Sequence, residues 1–165
     1  MASDQETSGP VAAVEYPRGL FTARVDVKGR VKLPVAFQKY FEAVGVKNFY
    51  ITTKDERLVY ICPLELWKEK ERILDNPGRE DLVEVYETVR FVVNKYGGDA
   101  TLDGEGRVTL SQELRKHFEL VDAPVWLQYS KGEILMYNEA EYKARETDVK
   151  AKLAEAKPSL VLKGF

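Results

Sequence analysis

Four of the nine residues from Arg24 to Lys32 are basic, namely Arg24, Lys28, Arg30 and Lys32, and a single carboxylate, Asp26, stands among them. Cations at this density can hold an anion, and a guanidinium among them can pair with two acceptors at once. On their own, charges at every second position are also the ordinary solvated face of a strand. Other chemistries find less material. One histidine, His117, and one cysteine, Cys62, make no ligand set of metal-binding spacing. Cys62 ends an apolar run, which suits a small buried hydrophobe better than a reactive thiol. Glu42 and Glu119 recur at matching places in two similar stretches rather than facing each other, and there is no glycine-rich phosphate loop. The reading therefore names no catalytic residue, no metal and no cofactor.

The elements that position the basic residues are organised by a repeat. Asp26-Val27-Lys28-Gly29-Arg30-Val31-Lys32-Leu33-Pro34 returns 77 positions later as Asp103-Gly104-Glu105-Gly106-Arg107-Val108-Thr109-Leu110-Ser111. The same spacing pairs Ala23 with Ala100, Lys39 with Lys116, Phe41 with Phe118, Glu42 with Glu119, Val44 with Val121, Lys54 with Lys131, Leu58 with Leu135 and Tyr60 with Tyr137, which reads as a duplication without gaps. Asp26 can accept a backbone N–H from two residues on and tighten a turn, and Gly29 and Gly106 supply positive φ. Val31 and Leu33 alternate with Arg30 and Lys32, a half-buried strand with its cations outward. Pro34 ends that strand and starts a helix, and Ser111 can do the same as an N-cap. Phe37, Tyr40, Phe41 and Val44 follow at helical spacing, answered by Leu114, Phe118 and Val121. His117 falls at the place of Tyr40, on a helix surface. Short runs at 48–53 and 57–62, then at 124–129 and 133–137, form hairpins, so each unit reads strand, turn, strand, helix, hairpin.

The Asp-x-x-Gly-Arg-x-x-x-Pro turn, its duplication, the Arg18-Gly19 dipeptide ahead of it and Cys62-Pro63-Leu64-Glu65-Leu66-Trp67 after the first hairpin resemble the MraZ family, bacterial transcriptional regulators with two AbrB-like (SpoVT/AbrB) units in one polypeptide. The resemblance runs from about Tyr16 to about Arg145. It implies an α+β fold in which two tandem AbrB-like swapped-hairpin units form a pseudo-twofold β-barrel with flanking helices. It also implies a ring-like homo-oligomer and binding of double-stranded promoter DNA at repeats upstream of the division and cell-wall gene cluster. The chain departs from the family's pattern at Glu105, where a basic residue would help, at Ser111, where the first copy has proline, and at 75–98, which is longer than expected and carries only Arg90 in place of paired arginines.

The chain divides accordingly into a flexible arm at 1–15, a first unit with a trailing helix at 16–74, a connecting helix at 75–97, a second unit at 98–145, and a C-terminal helix and tail at 146–165. Leu64, Trp67 and Leu74 lie on one stripe of the trailing helix, which Asn76-Pro77-Gly78 breaks. Leu82, Val85, Tyr86, Val89, Val92, Val93 and Tyr96 make a stronger stripe, ended by Gly97-Gly98. These helices either cover the barrel or carry subunit contacts. The last helix is dominated by mixed charge, Pro158 is expected to stop it, and the apolar Leu160 to Phe165 end is expected to dock on its own chain or on a neighbour.

With 25 basic and 27 acidic residues the net charge is −2, which taken whole argues against a nucleic-acid binder. The distribution argues the other way: the first turn is cationic, while the second sets Arg107 against Asp103 and Glu105. With the resemblance, Arg24, Lys28, Arg30, Lys32 and, more weakly, Arg107 are the expected DNA-binding residues. Arg30 is the one expected to reach a guanine edge. A single cysteine and the lack of an apolar run of membrane length point to a cytoplasmic protein, and the resemblance implies association with the nucleoid. The rival readings are an oligomeric scaffold that has lost DNA binding, which Glu105 and the acidic balance suit, and an AbrB-like antitoxin, disfavoured because those usually carry one unit.

Overall fold

The computed structural model describes residues 14–165, so most of the expected N-terminal arm lies outside the described residues. Each half contributes the elements its turn and helix signals predict. The first half gives β1 (Leu20–Val25), β2 (Arg30–Lys32), α1 (Val35–Ala43), β3 (Asn48–Thr52) and β4 (Val59–Pro63), followed by α2 (Leu64–Asp75). A 3-10 turn (Glu80–Leu82) leads into α3 (Val83–Tyr96). The second half gives β5 (Gly98–Thr101), β6 (Arg107–Thr109), α4 (Gln112–His117), β7 (Ala123–Ser130) and β8 (Glu133–Tyr137), followed by α5 (Glu139–Val161).

All eight strands join one antiparallel sheet in the order β5-β3-β4-β8-β7-β1-β2-β6, and its outer strands β5 and β6 lie against each other, so the sheet is nearly closed into a barrel. The halves interleave: β1 pairs with β7, β3 with β5, β4 with β8 and β2 with β6. At the β2–β6 contact Val31 stands opposite Val108, with Arg30 opposite Thr109 and Lys32 opposite Arg107. Beyond the strands, Leu33 N–H donates to Gly106 O at 2.9 Å and Leu110 N–H to Gly29 O at 2.8 Å. Each of these contacts maps onto its counterpart by the 77-residue shift, with the Val31–Val108 pair at the centre. The core inside the barrel is Val25, Val31, Phe37, Phe41, Phe49, Ile51 and Ile61 with Val108, Leu114, Val125, Leu127, Ile134 and Met136.

The repeat is not gapless past the first helix. Helix α1 closes at Gly45 (φ 73°), with Val46 N–H returning to Phe41 O, whereas α4 closes three residues sooner at Glu119 (φ 54°), with Leu120 N–H returning to Arg115 O. Glu119 therefore answers Gly45, not Glu42. The following loop is two residues longer, so Phe49 corresponds to Val125, 76 positions on. The tighter β7–β8 hairpin removes one more residue, and Tyr60 corresponds to Leu135 rather than to Tyr137. With these offsets the trailing helices also correspond. Trp67 of α2 stacks on Tyr50 of β3 (centroids 4.7 Å apart), as Tyr142 of α5 stacks on Trp126 of β7 (4.4 Å).

The end of α3 shows why Ser111 and Gly97 stand where they do. Gly97 is extended (φ −79°, ψ 156°) rather than left-handed as a terminating glycine usually is, and Val93 O is left to side chains: Tyr50 Oη donates to it at 2.9 Å and Thr52 Oγ1 at 2.7 Å. A Cβ on Gly97 would lie 1.8 Å from Tyr50 Oη. Ser111 Oγ accepts from Leu114 N–H at 3.2 Å as an N-cap and donates to Tyr96 O at 2.6 Å. A proline there could not make the second bond. Two further expectations are corrected. Pro158 lies inside α5 rather than stopping it, and Leu162 and Phe165 are 90% and 94% exposed, so the apolar end does not dock on its own chain.

Candidate nucleic-acid interface

Each Asp-x-x-Gly-Arg turn is a closed hydrogen-bond unit. Asp26 Oδ1 accepts from the N–H groups of Lys28 and Arg30, both at 2.9 Å, while Oδ2 accepts from Arg30 Nε at 2.8 Å. Asp103 does the same with Glu105 N–H, Arg107 N–H and Arg107 Nε, at 2.9, 2.9 and 2.8 Å. The Arg30 and Arg107 backbone N–H groups, aided by the guanidiniums, hold the Asp26 and Asp103 carboxyls below their usual range. Gly29 (φ 78°) and Gly106 (φ 76°) take the left-handed positions that the turns require.

The strand alternation then sets one face. Val31 and Val108 point into the core, so Arg30 and Lys32 of β2 and Arg107 and Thr109 of β6 share the outer face of a two-stranded ribbon. Because the strands run antiparallel, the two turns lie at opposite ends of that ribbon. Lys32 is thus carried away from its own turn and set opposite Arg107. Along the sequence Arg24, Lys28, Arg30 and Lys32 read as one cationic loop; the pairing of β2 with β6 divides Lys32 from the rest.

The guanidinium groups differ in what they hold. Arg107 Nη1 also lies 3.3 Å from Glu105 Oε2, so two carboxylates oppose it. Arg30 has only Asp26, and among the described residues its Nη groups have no partner. Lys28 and Lys32 pair with no carboxylate among the described residues. Arg24 is committed elsewhere, its Nε donating to Asp122 Oδ1 at 2.8 Å and its Nη2 to Asp122 O at 2.7 Å. Its cation lowers the Asp122 carboxyl in turn.

A cation that the sequence reading missed joins the first turn from the other half. Arg115 of α4 lies against Gly29, where a Cβ would be 2.3 Å from its Cδ, and its Nη1 donates to Lys28 O at 3.1 Å. The counterpart against Gly106 is the neutral Gln38 of α1, which donates instead to Leu33 O at 2.6 Å. The first-turn end of the ribbon therefore has Lys28, Arg30 and Arg115 against Asp26, and the other end has Lys32 and Arg107 against Asp103 and Glu105. Gln38 and Arg115 are 77 positions apart, so the repeat would have pointed to them once the glycines were known to need a close neighbour.

Elsewhere the chemistry is thin. Burial, with Glu133 nearby, pushes the Cys62 thiol up to about 12. His117 is exposed on the surface of α4, its ring against Tyr96 and Phe118 and its Nε2 2.9 Å from Glu56 O. Among the described residues no group of His, Cys, Asp and Glu could hold a metal ion, and no helix is long and apolar enough to cross a membrane.

No protein-family model matches the chain. Individual proteins do. A protein of Acidobacterium capsulatum named transcriptional regulator MraZ is 36% identical over 104 residues, 60% of this chain and 66% of that protein. Proteins of the same name from Koribacter versatilis and Deinococcus radiodurans are 31% and 30% identical, matched over 78% and 90% of their own lengths. Similarity of that extent to relatives covered over most of their length, on a chain that repeats the Asp-x-x-Gly-Arg turn at both ends of one ribbon, places this protein in the MraZ family.

Proposed function

We propose that the chain is a sequence-specific DNA-binding transcriptional regulator, made of two AbrB-like units, that acts at repeats upstream of the division and cell-wall gene cluster. The observation that carries the reading is the outer face of the β2–β6 ribbon, where Arg30, Lys32 and Arg107 stand with Thr109 on two paired strands. A two-stranded ribbon fits the major groove, where guanine offers O6 and N7 to a bidentate arginine. The relatives' name, transcriptional regulator, supports the same reading. Arg30 is the base-reading residue, Lys28 and Lys32 contact phosphate, and Arg107 contributes less because Asp103 and Glu105 already engage it. Arg24, tied to Asp122, braces the paired ends of β1 and β7 and contributes less to DNA contact than the turn residues. The protein works in the cytoplasm, associated with the nucleoid, as a homo-oligomer larger than a dimer and ring-like, so that repeated ribbons meet repeated sites.

The test is affinity for the chain's own upstream DNA and for a scrambled duplex at several salt concentrations. Arg30→Ala is expected to cost roughly 1–3 kcal/mol of discrimination between the two. Arg107→Ala breaks an equivalent turn bond, so it controls for loss of the pin and is expected to cost less. Lys28→Ala and Lys32→Ala weaken binding to both duplexes and lower the log–log salt slope by about one unit each. Wild-type protein that binds neither duplex would favour the scaffold reading. Equal damage from Arg107→Ala and Arg30→Ala would overturn the assignment of base reading to Arg30 alone.

A further inference from the structure

The proposed reading leaves a question that the pseudo-twofold arrangement sharpens: two turns of the same geometry sit at the two ends of one ribbon, and something must make them unequal. Arg115 and Gln38 are the pair that does so from outside the turns. Both pack over the left-handed glycine of the opposite half, with atoms 2.2–2.6 Å from where a glycine Cβ would be, so a side chain at either glycine would displace them. Beyond that they diverge. Gln38 turns back to Leu33 O within its own half. Arg115 reaches across, donating from Nη1 to Lys28 O at the crest of the first turn at 3.1 Å and, more weakly, from Nε to Ser111 O at 3.4 Å. Among the described residues no carboxylate pairs with it.

We propose that Arg115 is a positioning residue for DNA recognition, supplied by the second half to the first turn. Resting on the DNA-binding reading, this assigns it two effects. Its bond to Lys28 O fixes the crest from which Lys28 and Arg30 project, so their geometry is set before DNA arrives and less ordering accompanies binding. Its charge raises the first-turn end to three cations against one carboxylate, which strengthens attraction to phosphate there. The second turn lacks both effects, because a neutral amide occupies the corresponding place and leaves the crest carbonyl alone. The first turn's dominance thus comes from the second unit.

Arg115→Gln tests this with little risk to folding, because glutamine already fills the corresponding place over Gly106. Arg115→Lys keeps the charge but loses the planar fork. Lys116→Gln, one position on and exposed, controls for the loss of a cation anywhere on α4. Each is compared with wild type and Lys28→Ala on the upstream and scrambled duplexes across a salt series, with a thermal melt to confirm folding. Arg115→Gln is expected to lower affinity for the upstream duplex about tenfold and to reduce the salt slope, because a cation leaves the first-turn end and the crest loses its bond. Arg115→Lys is expected to keep the slope while the ratio of upstream to scrambled affinity still falls. If Arg115→Gln binds like wild type, or no worse than Lys116→Gln, while Lys28→Ala still loses affinity, the inference is overturned and the DNA-binding reading stands. If wild type binds neither duplex, both fall together.

Discussion

The carboxylates of the two turns carry a pH dependence that belongs to single residues. Asp26 and Asp103 titrate below their ordinary value of 3.8 in the fold, chiefly because Arg30 N–H and Arg107 N–H donate to them. A depressed acid stabilises the folded state above its unfolded pKa, and that contribution disappears as pH falls through the folded one. The window therefore lies at and below about pH 4, the ordinary carboxylate range, and nothing from these two groups changes near neutrality. Asp26→Asn with Asp103→Asn is expected to flatten the acid limb of stability measured by urea midpoints from pH 5 downward. An unchanged slope in the double variant would show that the turn bonds contribute no net coupling. Arg30 and Arg107 were legible as turn residues from their place after the glycine, but their bonds to Asp26 and Asp103 were not, since a four-residue spacing says nothing of which oxygen faces which nitrogen.

The elements test the corrected repeat. Glu119 holds the left-handed place that Gly45 fills in the first copy, at φ 54° against 73°. A side chain there costs about 1–2 kcal/mol, partly offset by the greater unfolded freedom of glycine, about 0.5–1 kcal/mol. Glu119→Gly is therefore expected to stabilise by roughly 0.5–1 kcal/mol in urea denaturation. Gly97→Ala should do the opposite, by roughly 1–3 kcal/mol, because the new methyl meets Tyr50 Oη and Val93 O while the Tyr50 ring is already stacked on Trp67. A neutral Gly97→Ala would mean that α3 ends with more slack than its three side-chain bonds imply. Turns, helices and hairpins were readable because each announces itself within a few residues. The offsets of 76 and 75 were hidden because α4 loses three residues and its loop regains two, so identical residues such as Glu42 and Glu119 still matched at 77. The separation of Lys32 from Lys28 was hidden for a different reason: it follows from β2 pairing with β6, a contact that no local pattern encodes.

For the whole molecule, the net charge of −2 misleads because it averages a polarised surface; the excess of carboxylates lies partly in α2 and the 3-10 turn after it, while the ribbon's first end is cationic. A monomer with so few free cations holds DNA weakly, and repeated units in an oligomer raise affinity through effective concentration rather than through new contacts. For the proposed assembly, the connecting helix is the candidate surface. Val93 and Tyr96 of α3 face the body of the protein, but Phe91 is 69% exposed and Val85 53% exposed on the same helix. Phe91 lies outside the ribbon and both of its turns. Phe91→Glu is therefore expected to leave the fold and the turns intact while reducing the mass seen by light scattering. In the same variant, affinity for a duplex with several repeats should fall toward that for a single repeat, because the avidity is lost, and single-repeat binding should stay near wild type. If the mass is unchanged, this face is not the contact. If the mass falls while multi-repeat affinity does not, assembly and DNA binding are independent, and the ribbon alone must supply the affinity.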